Sequence, residues 1–246
     1  MYLLHTMIHT QKGEDYTQEQ HSTWNFLYDR QKAYLKDKAS RLYLENLEKM
    51  SGTLTSTCVP MIEDMASQLK ETTGWSIEIV PGLIPPDEFF KLLAQKKFCS
   101  STWVRRKDQV DYIEEPDMFH DTFGHIPPLM DTSFASFMHR FGEIGAALSN
   151  DGRDFQVTQL QRLYWFFVEF GFVREDGEAK LFGAGIMSSY GETDHAWNLR
   201  NSLKVFNLEE VMATPFRVDV IQDEYFILND IQELERNLNE WFERTY

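Results

Sequence analysis

The sequence lacks most of the features that mark secreted, membrane or nucleic-acid-binding proteins. Only two cysteines occur in 246 residues, Cys58 and Cys99, which is too few for a disulfide framework and favours a reducing compartment. No apolar run approaches the roughly 20 residues that cross a bilayer, and the N-terminus lacks the basic segment and cleavage site of a signal peptide. The 24 basic residues are outnumbered by 39 acidic ones, whereas a phosphate-backbone partner requires clustered Lys and Arg. We therefore expect a cytoplasmic protein without a nucleic-acid or membrane partner.

Apolar and aromatic residues, by contrast, are abundant. They make up 42% and 14% of the chain, as expected for a globular protein with an aromatic core. The length suits a single domain, which we place at residues 22–246 after a loosely ordered segment, residues 1–21. Apolar residues recur mostly at helical spacing, and alternating stretches are few and short. The predicted fold is therefore mainly α, of the α+β type.

Local patterns give more detailed expectations. Ser22 or Thr23 is expected to cap one long helix from Trp24 to about Met50, which Gly52 would end. Further predictions are a helix at Met61–Thr72, a strand from Trp75, a helix opened by Asp87, a helix over Ser133–Ala147, a strand and loop at Lys180–Ser189, two strands within Phe216–Leu228, a helix at about Asp230–Arg244, and solvated histidines at positions 5, 9 and 21.

One stretch, E-P-D-M-F-H-D-T-F-G-H-I-P-P at residues 115–128, contains His120 and His125. On an unbroken α-helix, five residues rotate by roughly 500°, so the two side chains would point about 140° apart. They could converge only if the helix loosened between them. Gly124 allows that loosening, and Pro127–Pro128 prevent the helix from continuing far. Since neutral imidazole is the commonest metal ligand, the pair is a candidate metal site, although surface or core histidines are common.

A carboxylate that could complete this site lies in the most apolar part of the chain. Leu160–Gly171 is apolar around nearly its whole circumference, which predicts a buried helix closed by Gly171 in a left-handed cap. Glu169 is its only acid, and a buried carboxylate requires a cation or strong donors. A salt bridge to one of four arginines (Arg105, Arg106, Arg140 or Arg162) is one interpretation. With the two histidines, however, Glu169 makes the two-His, one-carboxylate triad of non-haem Fe(II) oxygenases.

Three separated blocks together resemble a known family. They read E-P-D-M-F-H-D-T-F-G-H, L-Y-W-F-F-V-E-F-G and F-G-A-G-I-M-S-S-Y-G-E. In this order they resemble the pterin-dependent aromatic amino acid hydroxylases, and the short bacterial phenylalanine 4-hydroxylases in particular, over roughly residues 23–228. The resemblance implies that His120, His125 and Glu169 bind iron, the same three residues that the chemistry selects.

The resemblance also implies a substrate site. Arg105, in W-V-R-R, matches the arginine that pairs with the carboxylate of the amino acid, a role that suits a guanidinium fork. Without the family, Arg105 would be interpreted as a structural partner of Asp111 or Glu114. Glu115 lies at the iron site by the same match, and a charge at the start of a helix is its alternative role.

The matched residues around the substrate are mainly apolar. Trp165 and Phe170 match aromatic groups beside the substrate ring, and with Pro116 they are expected to form an apolar slot. Ser188 matches a serine near the substrate backbone and His120. The alternative interpretation of either aromatic residue is ordinary core packing, and that of Ser188 is a loop at Ser188–Ser189.

The implied cofactor is tetrahydrobiopterin or a related reduced pterin, with O2 as co-substrate. Gly82 and Ile84, together with Phe89, match the wall on which the pterin stacks, and Tyr164 and Asp121 match its other edge. The pterin would supply the two electrons that ferrous iron alone cannot, and the protein would place pterin, oxygen and aromatic ring around the metal.

Several positions depart from the common family pattern. The sequence has P-P-L-M after the second histidine and Gln161 where a small residue is common near the pterin. Four further pocket positions also differ: Val104, Ile113, Ile186 and Met187. They leave the substrate open between phenylalanine, which we expect, and a tryptophan-preferring or promiscuous enzyme.

Two other classes remain possible from the sequence. Two His and one Glu also suit a catalytic zinc hydrolase, although no H-E-x-x-H motif is present. A metal-stabilised binding protein without turnover is the other, because fold does not guarantee function. The resemblance implies a single catalytic domain, monomeric or dimeric, without the regulatory domain and tetramerising tail of animal members.

Overall fold

The computed structural model describes residues 10–13, 16–111, 113 and 115–246. Within them the helices are α1 Gln18–Leu35, α2 Arg41–Lys49, α3 Ile62–Thr72, α4 Pro86–Ala94, α5 His125–Leu129, α6 Thr132–Asn150, α7 Asp154–Leu163, α8 Ala184–Ser188, α9 Tyr190–Leu199, α10 Leu208–Ala213 and α11 Gln232–Thr245. The strands are β1 Ser76–Ile79, β2 Lys97–Ser100, β3 Phe172–Glu175, β4 Glu178–Leu181, β5 Lys204–Val205 and β6 Phe226–Leu228. Two π segments, His120–Gly124 and Tyr164–Glu169, interrupt the helical regions. In the described part of the chain, every helix is too short or too polar to pass through a bilayer.

The core is organised around α6, whose apolar side packs against α4, α7 and α11. β1 and β2 form a small parallel sheet in which Ile77 lies opposite Phe98. A second sheet has the strand order β4-β3-β6-β5, with β3 and β4 antiparallel and the other pairs parallel. The prediction of a mainly helical domain with few short strands is confirmed.

The predicted long helix from Trp24 to Met50 is wrong. α1 begins at Gln18, where Thr17 and Gln20 form a capping box, and it ends at Leu35. The chain then pairs with β4, since the amide of Ser40 donates to Leu181 O at 2.8 Å and the amide of Leu181 donates to Lys38 O at 2.9 Å. Apolar spacing continues through this break and hides it, because the competing hydrogen bonds come from about 140 residues downstream along the chain.

The predicted left-handed cap at Gly171 is also wrong. Left-handed backbone occurs at Gly74, Gly152 and Gly177 but not at Gly171 among the described glycines. A Cβ at position 171 would instead lie 2.4 Å from Phe167 O, closer than side chains tolerate. Glycine is required here by close approach, because the predicted single helix passes into the Tyr164–Glu169 π segment before it ends.

Three further local predictions are corrected. Within Phe216–Leu228 only β6 forms among the described residues. The stretch before it folds back on itself instead of extending as a strand, since the Gln222 side chain donates to Arg217 O at 3.1 Å. Lys180–Ser189 continues from β4 into α8 rather than into a loop. His21 is not solvated, since its Nδ1 accepts from the amide of Val59 at 3.1 Å.

The other local expectations hold or lie beyond the described residues. The helix that ends before Gly74, the first strand and the C-terminal helix are confirmed at α3, β1 and α11. His5 and His9 lie outside the described residues, as does most of the predicted loose segment 1–21, which stays a prediction.

Candidate metal centre and cavity

The two histidines converge because the helix widens between them. His120–Gly124 forms a π segment with i→i+5 hydrogen bonding, which brings residues five apart to nearly the same side. The Nε2 atoms of His120 and His125 lie 3.2 Å apart. A Cβ on Gly124 would lie 2.9 Å from Ala184 O, so glycine also allows α8 to approach. The predicted loosening between the histidines is confirmed.

Glu169 reaches the same point from the second π segment. Its Oε1 lies 3.1 Å from His125 Nε2, and its Oε2 lies 3.6 Å from His120 Nε2. The structure thus brings the three predicted ligands together, with one donor atom from each within 4.8 Å of the others. The predicted alternative of a salt bridge from Glu169 to an arginine is not formed among the described residues.

The protonation states suit a cation. Burial lowers the pKa of His120 to about 4, so its imidazole is neutral at pH 7. Burial would raise the pKa of Glu169, but the two imidazoles outweigh it and lower that pKa to about 2. At pH 7 His120 therefore presents a neutral nitrogen and Glu169 an ionised carboxylate, which are the forms that bind metal.

Ser188 sets the tautomer of His120. Its Oγ donates to Ala184 O at 2.9 Å and lies 2.9 Å from His120 Nδ1. With its own hydrogen committed, the hydroxyl can only accept from Nδ1–H. The lone pair of His120 is consequently on Nε2, which faces the other two ligands.

The donor spacing fits one metal ion. Bonds of about 2.1 Å separate neighbouring donors by roughly 3.0 Å at octahedral angles and roughly 3.4 Å at tetrahedral angles. The two histidine Nε2 atoms are 3.2 Å apart, and each lies close to this range from a different oxygen of Glu169, His125 at 3.1 Å from Oε1 and His120 at 3.6 Å from Oε2. Three protein donors leave further coordination positions open.

These donors lie in the wall of a cavity of about 250 Å³. Its lining is mostly apolar, and the ring of His125 is held between Phe98, at 4.7 Å, and Tyr164, at 6.1 Å between centroids. Ten predicted site residues line it: Gly82, Ile84, Phe89, Pro116, His120, Asp121, His125, Tyr164, Trp165 and Glu169. A pocket of this shape, apolar with a few converging polar groups, is typical of a small-molecule site.

Four predicted site residues lie behind or beside this lining. Phe170 supports Trp165, with 4.7 Å between the two centroids, and Ser188 supports His120. Glu115 is exposed and lies beside Gly82. A Cβ added at position 82 would be 3.0 Å from Glu115 Oε1. Arg105, the fourth, is buried.

Arg105 is paired with an acid that sequence reasoning missed. Its Nε and Nη2 donate to Asp117 at 2.9 and 2.7 Å, whereas the predicted alternative partner Asp111 pairs with Arg30 instead. Glu114 lies outside the described residues. The Nη1 of Arg105 is buried and has no hydrogen-bond partner among the described residues. The signal for Asp117 was its place three residues before His120, at the start of a helix.

Asp121 is another predicted site residue that lines the cavity. Its Oδ2 accepts from the amide of Ser101 at 2.8 Å, and burial raises the pKa of Asp121 to about 7. Sequence reasoning missed Phe216 altogether, which stacks on Trp165 at 4.7 Å and lines the cavity. Its stretch resembled a strand, and no local pattern pointed to the site.

A mainly helical domain with two histidines and a glutamate in the wall of an aromatic cavity defines the class of mononuclear non-haem metal enzymes. Residues 9–245 match the model of the biopterin-dependent aromatic amino acid hydroxylases. The chain belongs to this family. The predicted family, its fold and the enzyme class are thereby confirmed.

Curated relatives include phenylalanine-4-hydroxylases of Vibrio cholerae and Mesorhizobium japonicum. The chain is 39% identical to the first over 221 residues, which cover 89% of this chain and 74% of the relative. The second is 41% identical over 222 residues, with 89% and 78% covered. Among solved structures, phenylalanine hydroxylase of Chromobacterium violaceum with bound iron(III) and 7,8-dihydrobiopterin aligns with a TM-score of 0.84 at 33% identity, covering 96% of this chain and 85% of that one.

Proposed function

We propose that this protein hydroxylates the ring of free phenylalanine to give tyrosine, with Fe(II), a reduced pterin and O2. The observation that carries the proposal is the His120, His125 and Glu169 cluster in the wall of an aromatic cavity, in a chain of this family. The named relatives are phenylalanine hydroxylases, and one of them holds iron and a dihydropterin. Iron and pterin, when bound, would together activate O2, so that one oxygen atom enters the ring as a hydroxyl group and the other is reduced to the level of water by two electrons from the pterin.

The residues of this chain would bind and orient the reactants. Arg105, with Nη1 unpartnered and its other nitrogens fixed by Asp117, is suited to the substrate carboxylate, because a guanidinium can pair with two anions at once. Trp165, supported by Phe170 and Phe216, offers an apolar face to the ring. The tyrosine hydroxyl would lack a partner in such a slot, at a cost of about 1–3 kcal/mol, so phenylalanine is favoured.

The pterin would occupy the other side of the cavity. Phe89 and Tyr164 meet edge to face, with 5.2 Å between centroids, and with Gly82 and Ile84 they line an apolar wall suited to a flat heterocycle. Glu115 lies beside Gly82, and Asp121 lines the cavity; we assign both acids to the pterin side. Each of these roles is part of the proposal.

The experiment compares three substrates. Protein loaded with Fe(II) is supplied with reduced pterin, O2 and phenylalanine, tyrosine and tryptophan, first separately and then in one vessel, with zinc-loaded protein as the control. We expect mainly tyrosine from phenylalanine, and no product from the zinc form. If 5-hydroxytryptophan were the preferred product, the substrate assignment would be wrong and the iron and pterin chemistry would still apply. If only the zinc-loaded protein were active, the proposal of a hydroxylase would be wrong.

We also propose a cytoplasmic location and a monomeric or homodimeric state. The two free cysteines support the first, because thiols stay reduced in a reducing compartment. Light scattering on the purified protein tests the second, and a tetramer would contradict it.

A further inference from the structure

Gln161 is a polar residue in the cavity wall whose role is not explained by the site described above. It lies in α7, three residues before Tyr164, and lines the cavity beside that aromatic wall. Its side chain is half-buried. Because the surrounding lining is largely aromatic and aliphatic, a carboxamide at this position requires a reason.

The carboxamide of Gln161 makes no hydrogen bond with any residue that the structure describes. Other glutamines of the chain are held by the protein: Gln31 donates to Thr193 Oγ1 at 2.7 Å, and Gln222 donates to Arg217 O at 3.1 Å. A carboxamide carries two donor hydrogens and an acceptor oxygen. Any occupant of the cavity that covers it removes water from these groups and weakens binding unless it returns a hydrogen bond.

The loop at residues 82–84 gives the cavity wall different hydrogen-bonding groups. The backbone amides of residues 82–84 donate to no described residue, and these residues line the cavity as well. Consecutive peptide groups suit the edge of a flat heterocycle, in which ring amide donors and acceptors alternate. Gln161 lies on the helix and not on this loop, so its carboxamide can hydrogen-bond a polar group outside the ring.

We propose that Gln161 hydrogen-bonds a hydroxyl on the side chain of the reduced pterin and makes this site selective for pterins with a hydroxylated side chain. This inference rests on the proposed function, since it assumes that a pterin occupies the cavity. A hydroxyl both donates and accepts, so it can pair with either end of the carboxamide. A methyl group in its place could pair with neither.

The test measures binding rather than turnover. Iron-free protein is titrated by calorimetry with 7,8-dihydrobiopterin, which has a dihydroxypropyl side chain, and with 7,8-dihydro-6-methylpterin, which has none. The variant Gln161→Met keeps the length of the side chain and loses its hydrogen-bonding groups. We expect Gln161→Met to raise the Kd for dihydrobiopterin by roughly 3- to 10-fold, the effect of one neutral hydrogen bond, and not to raise the Kd for the methyl compound, which returns no hydrogen bond to the carboxamide.

Gln159→Met is the matched control. Gln159 lies in the same helix and is also half-buried, but it does not line the cavity, so its substitution should change neither Kd. Equal weakening of both pterins by Gln161→Met would show that the side chain contacts the ring or only fills space, and would overturn the proposal. An unchanged Kd for dihydrobiopterin would do the same. Wild-type protein that binds neither pterin would overturn the pterin dependence itself, which distinguishes that failure from an error about Gln161.

Discussion

At the scale of single residues, Asp117 connects the two halves of the site. One carboxylate oxygen accepts from Arg105 Nη2 at 2.7 Å and from the amide of His120 at 3.0 Å. The other accepts from the amide and Nε of Arg105, both at 2.9 Å. Burial would raise the pKa of Asp117, but the Arg105 guanidinium holds it below its usual value. The carboxylate therefore fixes both the proposed substrate arginine and the start of the segment that carries a proposed metal ligand.

Replacing Asp117 should greatly lower the free energy of unfolding. Asp117→Ala leaves Arg105 buried without a counter-charge, and breaking a buried pair costs about 3–5 kcal/mol. Urea unfolding of the variant measures the loss. Asp108→Ala removes the acid of an exposed Arg106 pair and is the control, for which we expect no measurable change. A small effect at position 117 would mean that water or another acid replaces the carboxylate.

At the scale of elements, the site depends on two helices that widen at the ligands. The first π segment brings His120 and His125 to one side, and the second carries Glu169. α8 supports the first of them by placing Ser188 against His120. The close approach of α8 at Gly124 is thus part of the metal geometry.

Gly124→Ala tests this approach. The added Cβ would lie 2.9 Å from Ala184 O and 3.0 Å from Ala184 Cβ, so α8 or the π segment must shift. Overpacking of this kind costs about 1–3 kcal/mol, and we expect metal stoichiometry to fall as Ser188 moves from His120. The control is Gly52→Ala, where an added Cβ meets nothing within 4 Å. Full metal content with wild-type stability would show that the junction is more pliable than its distances imply.

How far the sequence predicted these elements depended on whether the signal was local. The loosening between His120 and His125 was predictable, because spacing and Gly124 lie within one stretch. Glu169 was predictable as an isolated acid in an apolar run. The break after α1 was not, because β4 supplies the hydrogen bonds that compete there. The stacking of Phe216 on Trp165 was likewise hidden, since it joins residues about 50 positions apart.

At the scale of the whole molecule, metal binding should stabilise the fold, because the donors join two segments that are far apart in the chain, His120–His125 and Tyr164–Glu169. An ion at 100 times its Kd adds about 2.7 kcal/mol, which corresponds to roughly 5–10 °C in Tm for a chain of this size. Thermal unfolding with and without Fe(II), under anaerobic conditions, measures the shift. Glu169→Ala should abolish it, and Glu243→Ala, at an exposed position, should retain it. A shift retained in Glu169→Ala would contradict the assignment of this carboxylate as a ligand.

A second property of the whole molecule is the pH dependence of its stability, to which Glu192 should contribute strongly. This side chain is 6% exposed, and its Oε2 accepts from the Tyr225 hydroxyl at 3.3 Å. Burial raises the pKa of Glu192 from 4.5 to about 7. The folded protein therefore binds the proton more tightly than the unfolded chain does. This contribution to stability is complete below pH 4.5 and is lost as the pH rises to about 7.

Glu192→Gln removes the titration and keeps the shape of the side chain. We expect the free energy of unfolding of the wild type to fall between pH 5 and pH 8 by on the order of 3 kcal/mol more than that of the variant. Urea unfolding of metal-free protein at several pH values measures the difference, because all other titrating groups are common to both proteins. Glu243→Gln is the control and should follow the wild type. If Glu192→Gln also followed the wild type, the carboxyl would be ionised throughout this range, and the segment from Gln222 to Tyr225 would have to solvate a buried charge.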